Sequence, residues 1–378
     1  MGRFQLLVLP LSCLLLALLF YEYKDSPAAA AAIAKVVAPD AQKRVLQEAS
    51  DRLAFQKQQR HKSHEHSPAK TLARLEMKLD KLDAGGTIAP AELPEGAIVL
   101  KSKTRAPFLI TVLDPEVDNM LSAFIFRTRL WDVHVLMALE HAIGNDCATA
   151  AAAGAAARTA DVGANLGFFS MSMLAMGCDV TSFEMQPEMA NLVRLSARFS
   201  GASARHRVIE GAVSDVADTV LQRGIGTSGN IGGVGIVHRN AENAPNQLAA
   251  NRKTADVQTL TLDNVFEGLD ASKPLLAMKM DIEGHENNAI KGFAKVLSAG
   301  GVRNIVMEFS PVEMGLAQAI AMLELLQSVG FSTIFELDYI QPSVYLQYAP
   351  AETPFETYAH RIDTRCGARA RASCAMMS

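Results

Sequence analysis

Two glycines and a carboxylate place the tightest constraint on what this chain can fold into. Asp161-Val162-Gly163-Ala164-Asn165-Leu166-Gly167 is followed, 23 positions after Asp161, by Glu184. Glycine lacks a Cβ, so it admits backbone angles and close approaches that other residues resist. The apolar run Phe168 to Met176 predicts a helix after the turn. Val180-Thr181-Ser182-Phe183 then predicts a short buried strand that ends at Glu184. A carboxylate about 20 residues after a glycine turn is the ribose-binding layout of a nucleotide-type α/β unit. The alternative is an ordinary strand-turn-helix corner with chance carboxylates.

Dinucleotides need G-x-G-x-x-G so that a pyrophosphate can sit at a helix N-terminus. That spacing is absent, and Asn165 stands where a middle glycine would be. Asp161 would repel a pyrophosphate at the tip of the first strand. It would suit a cationic ligand, and S-adenosylmethionine carries an ammonium, a sulfonium and a ribose but no phosphate.

A second signal is Lys279-Met280-Asp281-Ile282-Glu283-Gly284-His285-Glu286, which follows the apolar run Pro274 to Met278. Strand alternation puts Lys279, Asp281 and, if extension persists, Glu283 on one side. Gly284 permits a sharp exit, and Asn287 to Leu297 predicts a helix with Ile290, Phe293, Ala294 and Leu297 on one face. Ile305 to Pro311 repeats the pattern: an apolar strand ending in Glu308, then a proline break.

Together these segments resemble the FkbM family of methyltransferases. The resemblance rests on Asp161 to Gly167, Phe183-Glu184 with Pro187, Thr259 to Asp263, Lys279 to Glu286, and Met307-Glu308, in that order and at similar separations. It covers about residues 155 to 345. It implies a class I, Rossmann-like α/β fold with a seven-stranded, mostly parallel sheet and helices on both faces. It also implies S-adenosylmethionine as cofactor and methyl transfer, typically to an oxygen of a sugar or polyketide-like acceptor. One departure is the alanine-rich Ala148 to Ala157, where the family has a Val/Ile-rich first strand. Alanine favours helix and is poor in strands, so the first strand is expected only over Arg158 to Val162. Another is Met185-Gln186-Pro187 in place of the usual Glu-Pro, with Glu184 retained.

On this reading Asp161, Gly163, Asn165 and Gly167 shape the cofactor turn, and Glu184 accepts hydrogen bonds from the ribose hydroxyls. Asp215, after the expected third strand Val208-Ile209-Glu210, lies near the adenine or caps a helix. A hydroxyl acceptor needs a general base within hydrogen-bond reach. Asp281, Glu283 and Glu308 are the candidates, with His285 behind them, against a structural role for each as an ion pair or loop holder. A metal-assisted route through Asp281, Glu283 and Glu286 has no independent signal, and no metal is assigned. A non-catalytic, methyltransferase-like interaction module is the other reading; retention of Asp161, Glu184 and the acidic strand end argues against it.

The 378 residues allow one large domain plus an extension, and 49% hydrophobic residues suffice for a core. The net charge of -4, with no basic stripe interleaved with aromatics, excludes nucleic acid as an expected partner. Phe4 to Tyr23 is apolar over close to the length that crosses a bilayer. Residues 1–23 are therefore expected to be a transmembrane signal anchor, with a cleaved signal peptide and a transit peptide as alternatives. Residues 24–90 follow as a low-complexity and helical stem. Within it, the histidines of 61–66 could bind a metal but read in preference as a surface linker. Residues 91–150 lead into a catalytic domain over 151–350, and 351–378 form a tail. Leu121 to Phe126 and Val133 to Ile143 fit helix or strand, and Trp131 reads as core in preference to an acceptor-pocket wall. Gly224 to Gly235, with six glycines, reads as a lid or as a disordered insertion. The anchor implies a single-pass protein of the endoplasmic reticulum or Golgi with a luminal catalytic domain, or a secreted one if cleaved. Among the five cysteines, Cys366 and Cys374 are candidates to pair in an oxidising lumen, but connectivity is not legible from sequence.

Overall fold

The computed structural model describes residues 4–10, 93–226, 229–237, 253–338, 340, 342–345 and 359–361. One compact unit comprises Met1–Pro10 and Leu93–Ala375; the second, Leu11–Glu92 with Met376–Ser378, lies outside the described residues, as do the stem, the histidines of 61–66, Cys366 and Cys374.

The strands are β1 (Phe4–Pro10), β2 (Ile98–Lys101), β3 (Leu109–Val112), β4 (Arg158–Val162), β5 (Asp179–Glu184), β6 (His206–Glu210), β7 (Ala212–Val213), β8 (Val220–Gly224), β9 (Thr254–Leu260), β10 (Ala277–Met280), β11 (Asn304–Phe309), β12 (Phe331–Leu337) and β13 (Ala359–Arg361). Eight form one sheet in the order β13-β12-β1-β11-β10-β4-β5-β6. All neighbours in it run parallel except β12 and β13. β2 and β3 form a hairpin, and β7, β9 and β8 form a small second sheet.

The expected α/β class and mostly parallel sheet are present, but among the described residues the sheet has eight strands, not seven. One of them is β1, paired in parallel with β11 on one side and β12 on the other. Phe4 to Pro10 therefore does not begin a transmembrane helix, and the rest of the expected anchor, from residue 11, lies outside the described residues. The reason is physical: a parallel strand covered on both faces is a continuous apolar run, and so is a membrane span. Among the described residues no helix is long and apolar enough to cross a membrane.

Helices cover both faces of the sheet, and the strands alternate between two apolar clusters. Ala277 of β10 and Val306 of β11 join one cluster with Leu136, Leu139, Phe168 and Leu192. Their neighbours Met278 and Met307 join the other with Ile290, Phe293, Leu297 and Met322. Each large apolar side chain buried this way contributes about 1.5–3 kcal/mol. Both ambiguous segments are helical, Leu121–Thr128 and Val133–Ile143, and Trp131 packs on the first cluster with its ring edge-on to Phe124 at 5.3 Å. The alanine-rich stretch opens as helix Asp146–Ala152, and β4 begins at Arg158 as its composition requires. The single helix expected over Asn287 to Leu297 is instead two, Glu286–Lys291 and Ala294–Ser298. They break at Gly292, where a Cβ would run into the Ser214 carbonyl oxygen. Ile290, Phe293 and Leu297 are nonetheless all buried on one side.

Candidate active site

From β4 the chain steps through β5 to β6 on one side of the sheet, then returns to β10 and β11 on the other. β4 and β10 therefore flank the topological switch point, and in open α/β sheets ligands bind beyond the carboxyl ends of the strands there. The glycine turn follows β4, and Asp281 follows β10. The two turns touch: Asp281 N donates to the Val162 carbonyl at 3.0 Å. Gly163 has φ 80°, and a Cβ on it would strike the Asp281 carbonyl oxygen. Gly167, at φ 83°, likewise faces Val193, 2.9 Å from where its Cβ would lie.

Glu184 ends β5 and is 5% exposed. Its Oε2 accepts from Asn165 N at 2.7 Å and its Oε1 from Gln186 N at 2.8 Å. Burial raises its pKa against the pull of these two N–H groups. Asn165 holds φ 52°, a left-handed conformation that asparagine tolerates better than most residues, and its buried Oδ1 has no hydrogen-bond partner among the described residues. Both carboxylate oxygens of Glu184 are thus oriented by backbone, each with a further lone pair to offer.

Asp161 departs from the expectation that it meets a cationic ligand. It is fully buried, 3.7 Å from Lys279 Nζ, and its Oδ2 accepts from Ser170 Oγ at 2.5 Å. Burial raises its pKa, opposed by Lys279 and Ser170. The network continues from Ser170 Oγ to Ser182 Oγ at 2.7 Å and to His206 Nε2 at 2.8 Å. Since Ser170 gives its proton to Asp161, Ser182 donates to Ser170 and the His206 Nε2–H donates to Ser182. Asp161 therefore fixes the turn from within. Asp215 is exposed and accepts from Ser214 Oγ at 3.1 Å and Asn288 Nδ2 at 3.3 Å. These bonds tie it to the helix after β10, and it caps no helix of its own. Burial works the other way, yet these two bonds hold its carboxyl below the usual range.

The Lys279 to Glu286 motif divides its labour. Lys279 donates to the Gly163 carbonyl at 2.8 Å and lies 3.5 Å from Asp281, as strand alternation predicts. Extension ends at Glu283 and Gly284, with φ 55° and 89°. Glu286 is fully buried, and its Oε1 accepts from Ile282 N at 2.9 Å and Gly284 N at 3.3 Å, so it staples this turn. His285 is buried with Nε2 3.1 Å from Ser214 Oγ, away from a base's position. Asp281, Glu283 and Glu308 come together. Burial first, then the charges of Asp281, Glu283 and Glu286, push Glu308 up to about 12. Burial with Asp281 and Glu313 pushes Glu283 up to about 8. Glu313, in helix Pro311–Met314, joins the group and was not singled out in the sequence. Its one sequence signal is a carboxylate just past the proline break after Glu308.

The glycine-rich segment lies over both turns. A Cβ on Gly232 would overlap the Asn165 side-chain amide, and one on Gly235 would come 3.1 Å from the Glu283 carbonyl oxygen.

Residues 161–333 match the family model of the methyltransferase FkbM domain. Over that stretch, just under half of its length, the chain resembles the FkbM methyltransferases. The match opens at Asp161 and closes within β12, so the matched stretch contains the glycine turn, Glu184 and the whole carboxylate group. A solved SAM-dependent methyltransferase from Neisseria gonorrhoeae aligns at 13% identity over 70% of this chain and 79% of that one, with a TM-score of 0.25. That likeness is too slight to bear on the fold, which rests on the strand order above. No curated protein matches the chain.

Proposed function

We propose that this chain transfers a methyl group from S-adenosylmethionine to a hydroxyl of a sugar, glycan or small-molecule acceptor. One observation carries the reading: Glu184 stands at the end of β5 beside the switch point with both oxygens aimed by the Asn165 and Gln186 N–H groups. Gly163 and Gly167 let the turn beside it pack closely on Asp281 and Val193, where a Cβ would collide, and Asn165 Oδ1, with no partner among the described residues, is a further acceptor. These residues fit a ribose and a phosphate-free ligand. When bound, the cofactor supplies an electrophilic methyl on a sulfonium. As the acceptor oxygen bonds to that methyl and the sulfur takes back its electron pair, the hydroxyl proton must pass to a base. Asp281 is best placed for it, because its backbone touches the cofactor turn and its side chain is 35% exposed. Glu283 and Glu308 are the other candidates.

Calorimetric titration with S-adenosylmethionine and with NAD tests this reading. We expect micromolar-range binding of the first only. Glu184→Ala should weaken it by about 1.5–3 kcal/mol, the scale of a lost charged hydrogen-bond set. Equal binding by a folded Glu184→Ala variant would refute the assignment. Binding of S-adenosylmethionine without transfer to any hydroxyl in an acceptor screen would favour the non-catalytic module.

We also propose a secretory-lumen location. Cys147 and Cys178, both fully buried, form a disulfide, and such bonds persist in oxidising compartments. Alkylation of acid-quenched cells checks it: free thiols at both positions would place the protein in a reducing compartment.

A further inference from the structure

Three carboxylates converge from three separate elements: Glu283 from the turn after β10, Glu308 from β11 and Glu313 from helix Pro311–Met314. One oxygen from each lies within 4.8 Å of the others. Glu308 forms the floor. It is 4% exposed, and its buried Oε2 has no hydrogen-bond partner among the described residues. Glu283 and Glu313 form an exposed rim. The turn that carries Glu283 is pressed against Glu313, since a Cβ on Gly284 would come 3.0 Å from the Glu313 Cβ. Asp281 stands within hydrogen-bonding reach of Glu308 and adds a further carboxylate to the group. Lys279, the neighbouring cation, lies against Asp161, Asp281 and the Gly163 carbonyl.

We propose that Glu283, Glu308 and Glu313 bind a hard divalent cation of the Mg2+, Mn2+ or Ca2+ class. The donors are all carboxylate oxygens, which suits these ions and not the softer metals. Oxygens bound to one Ca2+ lie at most about 4.8 Å apart, and one oxygen from each of these carboxylates lies that close to the others. A buried floor and an open rim leave an entry path and free coordination positions for water. The site itself stands on the carboxylates alone. Its use rests on the methyl-transfer reading: a hydroxyl held on such an ion is more acidic, and Asp281 stands next to it to take the proton.

Full-length protein, stripped with chelator and titrated with Mn2+ under electron paramagnetic resonance, tests the site. Ca2+ or Mg2+ should displace the bound Mn2+, which separates an oxygen site from the histidines of 61–66. We expect one saturable site in the parent and at least tenfold weaker binding in Glu308→Gln and Glu313→Gln, with Glu324→Gln as an exposed control. Should Glu308→Gln misfold, the exposed Glu313 still decides. S-adenosylmethionine titration on the same samples reports the other question. If the parent binds Mn2+ but no S-adenosylmethionine, the methyl-transfer reading fails and the cation site stands. No displaceable Mn2+ in the parent, or unchanged affinity in the folded variants, overturns the site.

Discussion

Asp161 and Lys279 sit directly across from one another on β4 and β10, in register, with Oδ1 and Nζ 3.7 Å apart and both side chains buried. The pair occupies the switch point of the sheet and joins the glycine turn to the carboxylate turn. Lys279 also lies 5.5 Å from the centre of the Phe169 ring. Charge, hydrogen bond and aromatic face together hold the ammonium where water cannot.

Removing one partner should therefore cost more than removing both. Lys279→Met leaves Asp161 buried without its cation, an effect of about 3–5 kcal/mol. Asp161→Asn with Lys279→Met should recover a substantial part. Urea unfolding of Lys279→Met, Asp161→Asn and the double variant measures this, and a double variant less stable than either single one would contradict the pairing.

Gly163→Ala should be far more damaging than Gly268→Ala. Both glycines have φ near 80°, but nothing lies within 4 Å of a Cβ on Gly268, whereas one on Gly163 meets the Asp281 carbonyl. The Gly268 variant isolates the left-handed cost, about 1–2 kcal/mol. The Gly163 variant adds displacement of the two turns, so weakened S-adenosylmethionine binding should accompany its stability loss. Equal denaturation midpoints would show that the close approach has no consequence.

Deleting residues 1–10 distinguishes a strand from an anchor. Loss of β1 leaves β11 and β12 with unpaired edges, at about 0.5–1.5 kcal/mol per ladder hydrogen bond and with a new aggregation-prone edge. The truncated protein should melt well below the parent or aggregate. A truncated protein that is soluble and melts like the parent would remove β1 from the fold.

His206 should make the domain acid-sensitive. Burial first, then the Arg194 charge, lowers its pKa to about 4 from 6.5. A depressed folded-state value means the neutral form is favoured, so this stability is fully present above about pH 6.5 and is lost as pH falls towards 4. The slope is at most about 1.4 kcal/mol per pH unit, less for the solvent contact His206 retains. His206→Gln should flatten the dependence of the melting temperature between pH 6.5 and 4. An unchanged profile would exclude His206 as its source.

The sequence by itself determined the local pieces and their chemistry. The start of β4 at Arg158, the helix from Phe168, Glu184 at the end of β5 and Glu308 on β11 all follow from glycine, apolar periodicity and strand-end carboxylates. Those signals are local, since a turn or a strand declares itself within a few residues. Only the tertiary structure decided which groups meet. Asp161 turned from a ligand contact into the buried partner of Lys279, because register across β4 and β10 sets that pairing. Glu286 became a backbone staple while Glu313 joined Glu283 and Glu308, because a left-handed turn ended the alternation on which the sequence reading relied. Phe4 to Pro10 became a strand because an apolar run states only that it must leave water, and a free slot between β11 and β12 decided where.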